Sequence, residues 1–114
     1  MVHYKETRNL GRVTAAIAHP ARRAIIARLA RGPARISDVA APFSMSLTGF
    51  CKHVKILERA RLVRRTRRGR DNTLELSLGP LRDLAQWIRH YEQFWNARLD
   101  RLEEFFAAQK EKSS

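Results

Sequence analysis

Thr48, Lys52 and Lys55 recur at the spacing of one helix face, directly after Ser46, a residue suited to cap that helix. Between Lys52 and Arg70 stand nine basic residues and one acid, Glu58. A patch of this density attracts a polyanion: nucleic acid, anionic lipid or an acidic protein surface. The residue types favour the first. An α-helix fits the major groove of DNA, where Thr and Lys meet base edges and a Ser hydroxyl with N-terminal amides holds phosphate.

The rest of the chain sharpens that contrast. The formal net charge is +12, with 17 Lys and Arg against 5 Asp and Glu in residues 1–80 and 6 against 6 in residues 81–114. No glycine-rich phosphate loop, paired carboxylate or cysteine–histidine pair with supporting context stands out, so no catalytic residue is assigned and the chain does not read as an enzyme. The single cysteine, Cys51, excludes an internal disulfide. Neither a signal-peptide run nor a window near the ~18 apolar residues of a membrane span is visible, and a cytoplasmic protein without membrane partner is expected.

The elements that must position these residues are mainly helical. Residues 1–18 are expected as a helix, with Leu10, Val13, Ala16 and Ile17 at helical spacing and Tyr4 near its start. In HPARRAIIARLARGP, Pro20 suits the first helical position, Ile25 and Leu29 share a face, and Gly32 with Pro33 stops the helix. A short helix follows from about Ser37, with Asp38 in its first turn and Pro42 near its end. Residues 44–46 form a tight connection to a helix that runs from Ser46 to about Ala60, and the two helices make a helix-turn-helix. On the second helix, Leu47, Phe50, Val54 and Leu57 fall in one arc and are expected to be buried. Thr48, Lys52 and Lys55 lie opposite, Gly49 and Cys51 on the flanks, and His53 nearer the buried edge.

Leu62 to Arg67, a turn at RGRDN, and the alternation of Leu74, Leu76 and Leu78 with Thr73, Glu75 and Ser77 predict a β-hairpin with one buried face. Its tip carries Arg64, Arg65, Arg67, Arg68 and Arg70. After Gly79 and Pro80, a helix over residues 81–106 is expected, about 39 Å long. That exceeds the width of the small domain before it, so part of its apolar stripe must face something else. The expected whole is one domain over residues 1–114: an N-terminal helix (1–18), a helix-turn-helix with its hairpin (19–80), a long helix (81–106) and a frayed tail (107–114).

HPARRAIIARLA, SDVAAPFSMS, SLTGFCKHVKILERARLV and RRTRRGRDNTLEL together resemble the ArsR family of bacterial winged helix-turn-helix repressors, over residues 18–78. The resemblance implies a mainly α fold with a β-hairpin wing and a long C-terminal dimerisation helix. It implies a homodimer that binds a palindromic double-stranded operator and represses transcription until a signal releases it. By the same resemblance Ser46, Thr48, Lys52, His53 and Lys55 make groove and phosphate contacts, and Arg65, Arg67, Arg68 and Arg70 add backbone contacts. His53 stands in the family's KH position, where a hydrogen bond within the domain is the competing role. The terminal stripe holds six of the nine aromatics of the chain. Trp87, Ile88, Tyr91, Phe94, Trp95, Leu99 and Leu102, with Leu10, Val13 and Ile17 of the first helix, are the expected dimer interface.

Three departures from the family pattern matter. His19 stands where many relatives have an acidic N-cap, Cys51 replaces a small hydroxyl residue, and the family's metal-binding motifs are missing. Asp83, His90 and Glu92 do not make a complete zinc set, so neither metal nor another cofactor is expected. Cys51, beside Lys52 and Lys55, is a candidate redox thiol, with packing as its competing role. The effector is left unassigned. Two rival functions fit the charge: a non-specific nucleic-acid or nucleoid binder, and a protein-interaction module.

Overall fold

The structure, a computed structural model, describes residues 4–112, with side chains from Asn9 onward. The order is α1 (Tyr4–Ile17), α2 (Pro20–Leu29), β1 (Ala34–Arg35), α3 (Ile36–Ala40), α4 (Leu47–Arg59), β2 (Val63–Arg68), β3 (Asp71–Leu76) and α5 (Gly79–Lys112). The strands form one antiparallel sheet in the order β1-β3-β2. This is a mainly α fold carrying a β-hairpin: a winged helix-turn-helix followed by a long C-terminal helix. Two compact units divide inside α5, the first ending at Asp83 and the second beginning at Leu84. The Tyr4 side chain and the last two residues of the expected tail lie outside the described residues.

The core of the first unit collects one apolar face from each element. Ile25 of α2, Val39 of α3, Phe50, Val54 and Leu57 of α4, and Leu74 of β3 are all at most 1% exposed. Val13 and Ala16 of α1 join them, because α1 packs on α2 and α4. That corrects the expected role of Val13: it is buried within the chain itself and is withdrawn from the expected dimer interface. Leu10 and Ile17 are half-buried.

Caps explain where the helices stop. The Nδ1 of His19 accepts a hydrogen bond from the Ala21 amide at 3.1 Å, so the ring caps α2 in place of a carboxylate. At the end of α4, the Leu62 amide bonds the Leu57 carbonyl and the Arg61 amide bonds the Glu58 carbonyl, both at 3.0 Å. These two bonds are a Schellman motif, with Leu57 and Leu62 both fully buried beneath it. Its left-handed position, usually glycine, holds Arg61 at φ 62°. The same conformation in the wing falls on Gly69, in the two-residue turn between Arg68 and Asp71.

Four local expectations change. The connection between α3 and α4 spans residues 41–46, longer than expected, because α3 stops at Ala40 just ahead of Pro42. Strand β1 is too short to show a period in sequence, yet Ala34 and Arg35 pair with Leu74 and Thr73. Leu78 is 53% exposed because β3 ends at Leu76, so the alternation outlasts the strand. Helix α5 continues through most of the expected frayed tail to Lys112, for 34 residues or about 51 Å. The apolar stripe ends at Phe106, but AAQKEK is made of strong helix formers and places lysines at the negative helix end.

Candidate nucleic-acid interface

The leading end of α4 is built by Ser46 and Gly49. Ser46 is the N-cap, its Oγ accepting from the Gly49 amide at 3.1 Å. A Cβ at position 49 would stand 3.3 Å from that oxygen, so glycine lets the cap close without crowding. Behind it, Phe50, Val54 and Leu57 fasten the helix to the domain, and Phe43 packs on Phe50 with ring centroids 5.5 Å apart. Thr48, Lys52 and Lys55 are consequently held outward on a rigid helix, all three exposed. Together with Leu47 and the half-buried Cys51 they line one groove.

Leu47 was expected with the buried arc; instead it is 63% exposed. It is the first helical residue, one turn ahead of Phe50 and at the edge of the arc, where the helix has already left the core. The exposed face of α4 is therefore cationic with an apolar spot at its leading end.

His53 occupies a different environment. It is half-buried, and its Nδ1 lies 3.1 Å from Nη1 of Arg22. A guanidinium only donates, so Nδ1 accepts and the neutral ring carries its proton on Nε2. The His19 ring stands 4.6 Å away. Burial, then the positive charges of His19 and Arg22, lower the pKa of His53 below 6.5. Arg22 also donates from Nε to the Ala16 carbonyl at 2.6 Å and from Nη2 to the Ala15 carbonyl at 3.1 Å. Arg23 Nη1 reaches the Ile17 carbonyl at 2.8 Å. The two arginines thus bond the last carbonyls of α1, of which that of Ala15 also accepts from the Ala18 amide at 3.3 Å, and Arg22 ties that end to α4. Sequence reasoning missed this network, because two arginines behind Pro20 look like ordinary surface charge.

The wing arginines divide into two sets. Arg64, Arg67, Arg68 and Arg70 are exposed, Arg67 donating from Nε to the Gly69 carbonyl at 3.2 Å. Arg65 pairs in register with Leu74, lies on the inner side with Val63, and donates from Nη2 to Glu58 Oε1 at 2.9 Å. Both partners are about one-third exposed. Arg65 therefore ties the hairpin to α4, which corrects the expectation that it reaches out with its neighbours. The underlying signal was available: in an extended strand, Val63 and Arg65 share a face.

In the second unit, Trp87, Ile88, Tyr91, Phe94, Trp95, Leu99 and Leu102 of α5 are between 43% and 55% exposed, and the stripe extends through Phe105 and Phe106. The Arg98 guanidinium covers the Phe94 ring at 4.6 Å from its centroid. Among the described residues, no three His, Cys, Asp or Glu side chains gather into a possible metal site, and no helix is long and apolar enough to cross a membrane.

A well-anchored helix with an outward cationic face, preceded by a support helix and followed by a basic hairpin, defines a DNA-binding winged helix-turn-helix. Comparison with known proteins agrees. The family described as a helix-turn-helix domain matches residues 17–66. A crystal structure of an ArsR family transcriptional regulator is 34% identical, with a TM-score of 0.78 over 84% of this chain and 97% of that one. An ArsR-like transcriptional regulator from Rhodococcus sp. RHA1 is 23% identical, with a TM-score of 0.73 over 87% and 93% of the two chains. The homodimeric winged helix-turn-helix DNA-binding domain of a possible ArsR-family regulator from Mycobacterium bovis is 23% identical and has a TM-score of 0.59, covering 83% of this chain and 85% of that one. No curated protein matches the chain. The chain belongs to the ArsR family of transcriptional regulators, a family of DNA-binding proteins.

Proposed function

We propose that this regulator is a repressor that binds a palindromic operator as a homodimer, occluding a promoter. The observation that carries the reading is the pairing of an outward Thr48, Lys52 and Lys55 face with an exposed arginine wing beside it. In this reading α4 enters the major groove, where Thr48 and Lys52 meet base edges. Ser46 retains its hydroxyl proton after capping and donates it to a phosphate, and Lys55, further along the same helix, meets another. Arg67, Arg68 and Arg70, with Arg64, neutralise phosphates along the flanking backbone. His53 and Arg65 act from behind as positioning residues: each is engaged by a partner within the fold.

Dimerisation rests on the second unit. An aromatic stripe left half exposed along a helix of about 51 Å has the size and composition of an interface, and the similar Mycobacterium bovis domain is homodimeric. Two recognition helices related by a two-fold axis read inverted half-sites, which accounts for a palindrome, and half-sites one helical turn, about 34 Å, apart are the expected spacing.

The test is a fluorescence-anisotropy titration against the duplex upstream of the protein's own gene and a scrambled duplex of equal length, at physiological salt. A preference of about a thousandfold is expected of a specific repressor. Equal, weak, strongly salt-dependent binding to the native duplex, the scramble and a genomic library alike would replace this reading with a non-specific binder.

A further inference from the structure

Leu47 is the one large apolar side chain that the recognition helix leaves mostly bare, at 63% exposure, while Phe50, Val54 and Leu57 of the same helix are at most 1% exposed. It contributes little to the core. At the first helical position a polar residue would serve the helix as well and would spare the contact of a leucine with water. Its surroundings are equally specific. Cys51 lies one turn behind it, Thr48 beside it, and Lys52 and Lys55 close the groove that these five residues line. The Ser46–Gly49 cap fixes the backbone under Leu47, so the side chain is presented from a rigid point.

We infer that Leu47, with Cys51 as the adjoining wall, reads the C5-methyl group of thymine in the major groove. This rests on the operator-binding reading above and names what part of the base sequence it recognises. The cations around the groove select a polyanion, and the family is one of DNA-binding regulators. N-terminal residues of a recognition helix are those that approach base edges. Among unmodified bases the thymine methyl is the only apolar group that projects from the major-groove edge; cytosine offers at that place only a C5–H, beside its N4 donor. A leucine at this place contacts that methyl favourably and meets the polar edge of a cytosine or guanine without a partner for it. The preferred half-site therefore carries thymine where the leading end of α4 enters the groove.

The experiment replaces thymines of the preferred duplex by uracil one symmetric pair at a time. Each replacement removes the methyl groups while every hydrogen-bonding atom and charge is kept. Wild-type affinity is expected to fall by about fourfold per methyl lost at the contacted pair, in proportion to the buried apolar group. Leu47→Ala should bind the thymine and uracil duplexes equally, and Leu47→Met, which retains an apolar side chain, should still discriminate. Uracil tolerated at every position by the wild type, or the same thymine preference in Leu47→Ala, overturns the assignment while leaving operator recognition intact. Failure to prefer any duplex over the scramble removes operator recognition itself, and the assignment falls with it.

Discussion

Replacing Arg22 by methionine keeps the length and apolar stem of the side chain but removes the guanidinium that joins the end of α1 to α4. Three hydrogen bonds disappear, to the carbonyls of Ala15 and Ala16 and to Nδ1 of His53. A hydrogen bond to a charged group contributes about 1.5–3 kcal/mol, but the freed carbonyls are partly open to water and recover some of that by hydration. Allowing about 1 kcal/mol for each of the two half-buried bonds, and little for the exposed one, gives a loss of about 2 kcal/mol. With a slope of about 2 kcal/mol per molar urea, the unfolding midpoint should fall by about 1 M. The assay is urea denaturation followed by circular dichroism, with protein concentration held fixed because the proposed homodimer would unfold in a concentration-dependent way. Arg22→Lys restores one charge without the planar fork and should recover less than half of the loss. A midpoint within ~0.2 M of wild type in Arg22→Met would refute the argument that this residue fastens the two helices.

Other consequences follow from the same geometry. Replacing Arg68 and Arg70 by alanine should weaken binding to native and scrambled duplexes alike and flatten the salt slope by about 0.9 for each phosphate contact removed; an unchanged slope would take the wing off the phosphate backbone. Folded His53 titrates below 6.5, so in acid the unfolded chain takes up the proton first. Stability from this group is therefore present above pH 6.5 and is lost as pH falls from there through the lowered folded value; His53→Gln should remove that step from a plot of urea midpoint against pH, and an identical plot for both proteins would contradict it. Leu99→Asp puts a charge in the middle of the exposed stripe of α5, and sedimentation should show a monomer at micromolar concentration where the wild type is a dimer; a wild-type monomer would sink the two-fold model. Arg61→Gly relieves a left-handed backbone that costs a side-chain residue about 1 kcal/mol, raising the urea midpoint by about 0.5 M, whereas a fall would mean that the Arg61 side chain itself stabilises the fold.

The helices were legible in sequence because their signals are local. Pro20 and Gly32 bracket α2, Ser46 caps α4, and the spacing of Phe50, Val54 and Leu57 gives its buried face whatever lies beneath. The cationic face of α4 and the wing tip were legible for a related reason: neither depends on a distant partner, only on the periods of a helix and a hairpin. Leu47 and Leu78 escaped that logic. Each obeys the period of its element, yet α4 leaves the core at Leu47 and β3 has ended before Leu78, and an element's period does not report where its neighbours stop.

What the sequence by itself determined is the order of elements, their apolar faces and the concentration of charge on one helix and one turn, because short-range periodicity and capping govern all of these. What only the tertiary structure decided is how chemically similar residues divide into different tasks. Arg65 turns inward to Glu58 while Arg67, Arg68 and Arg70 stay out; Arg22 leaves the surface to cap α1 and hold His53; Val13 goes to the core while Leu10 and Ile17 remain half exposed. Those assignments depend on which groups other elements bring within hydrogen-bonding or van der Waals reach, and that proximity exists only once the chain has folded.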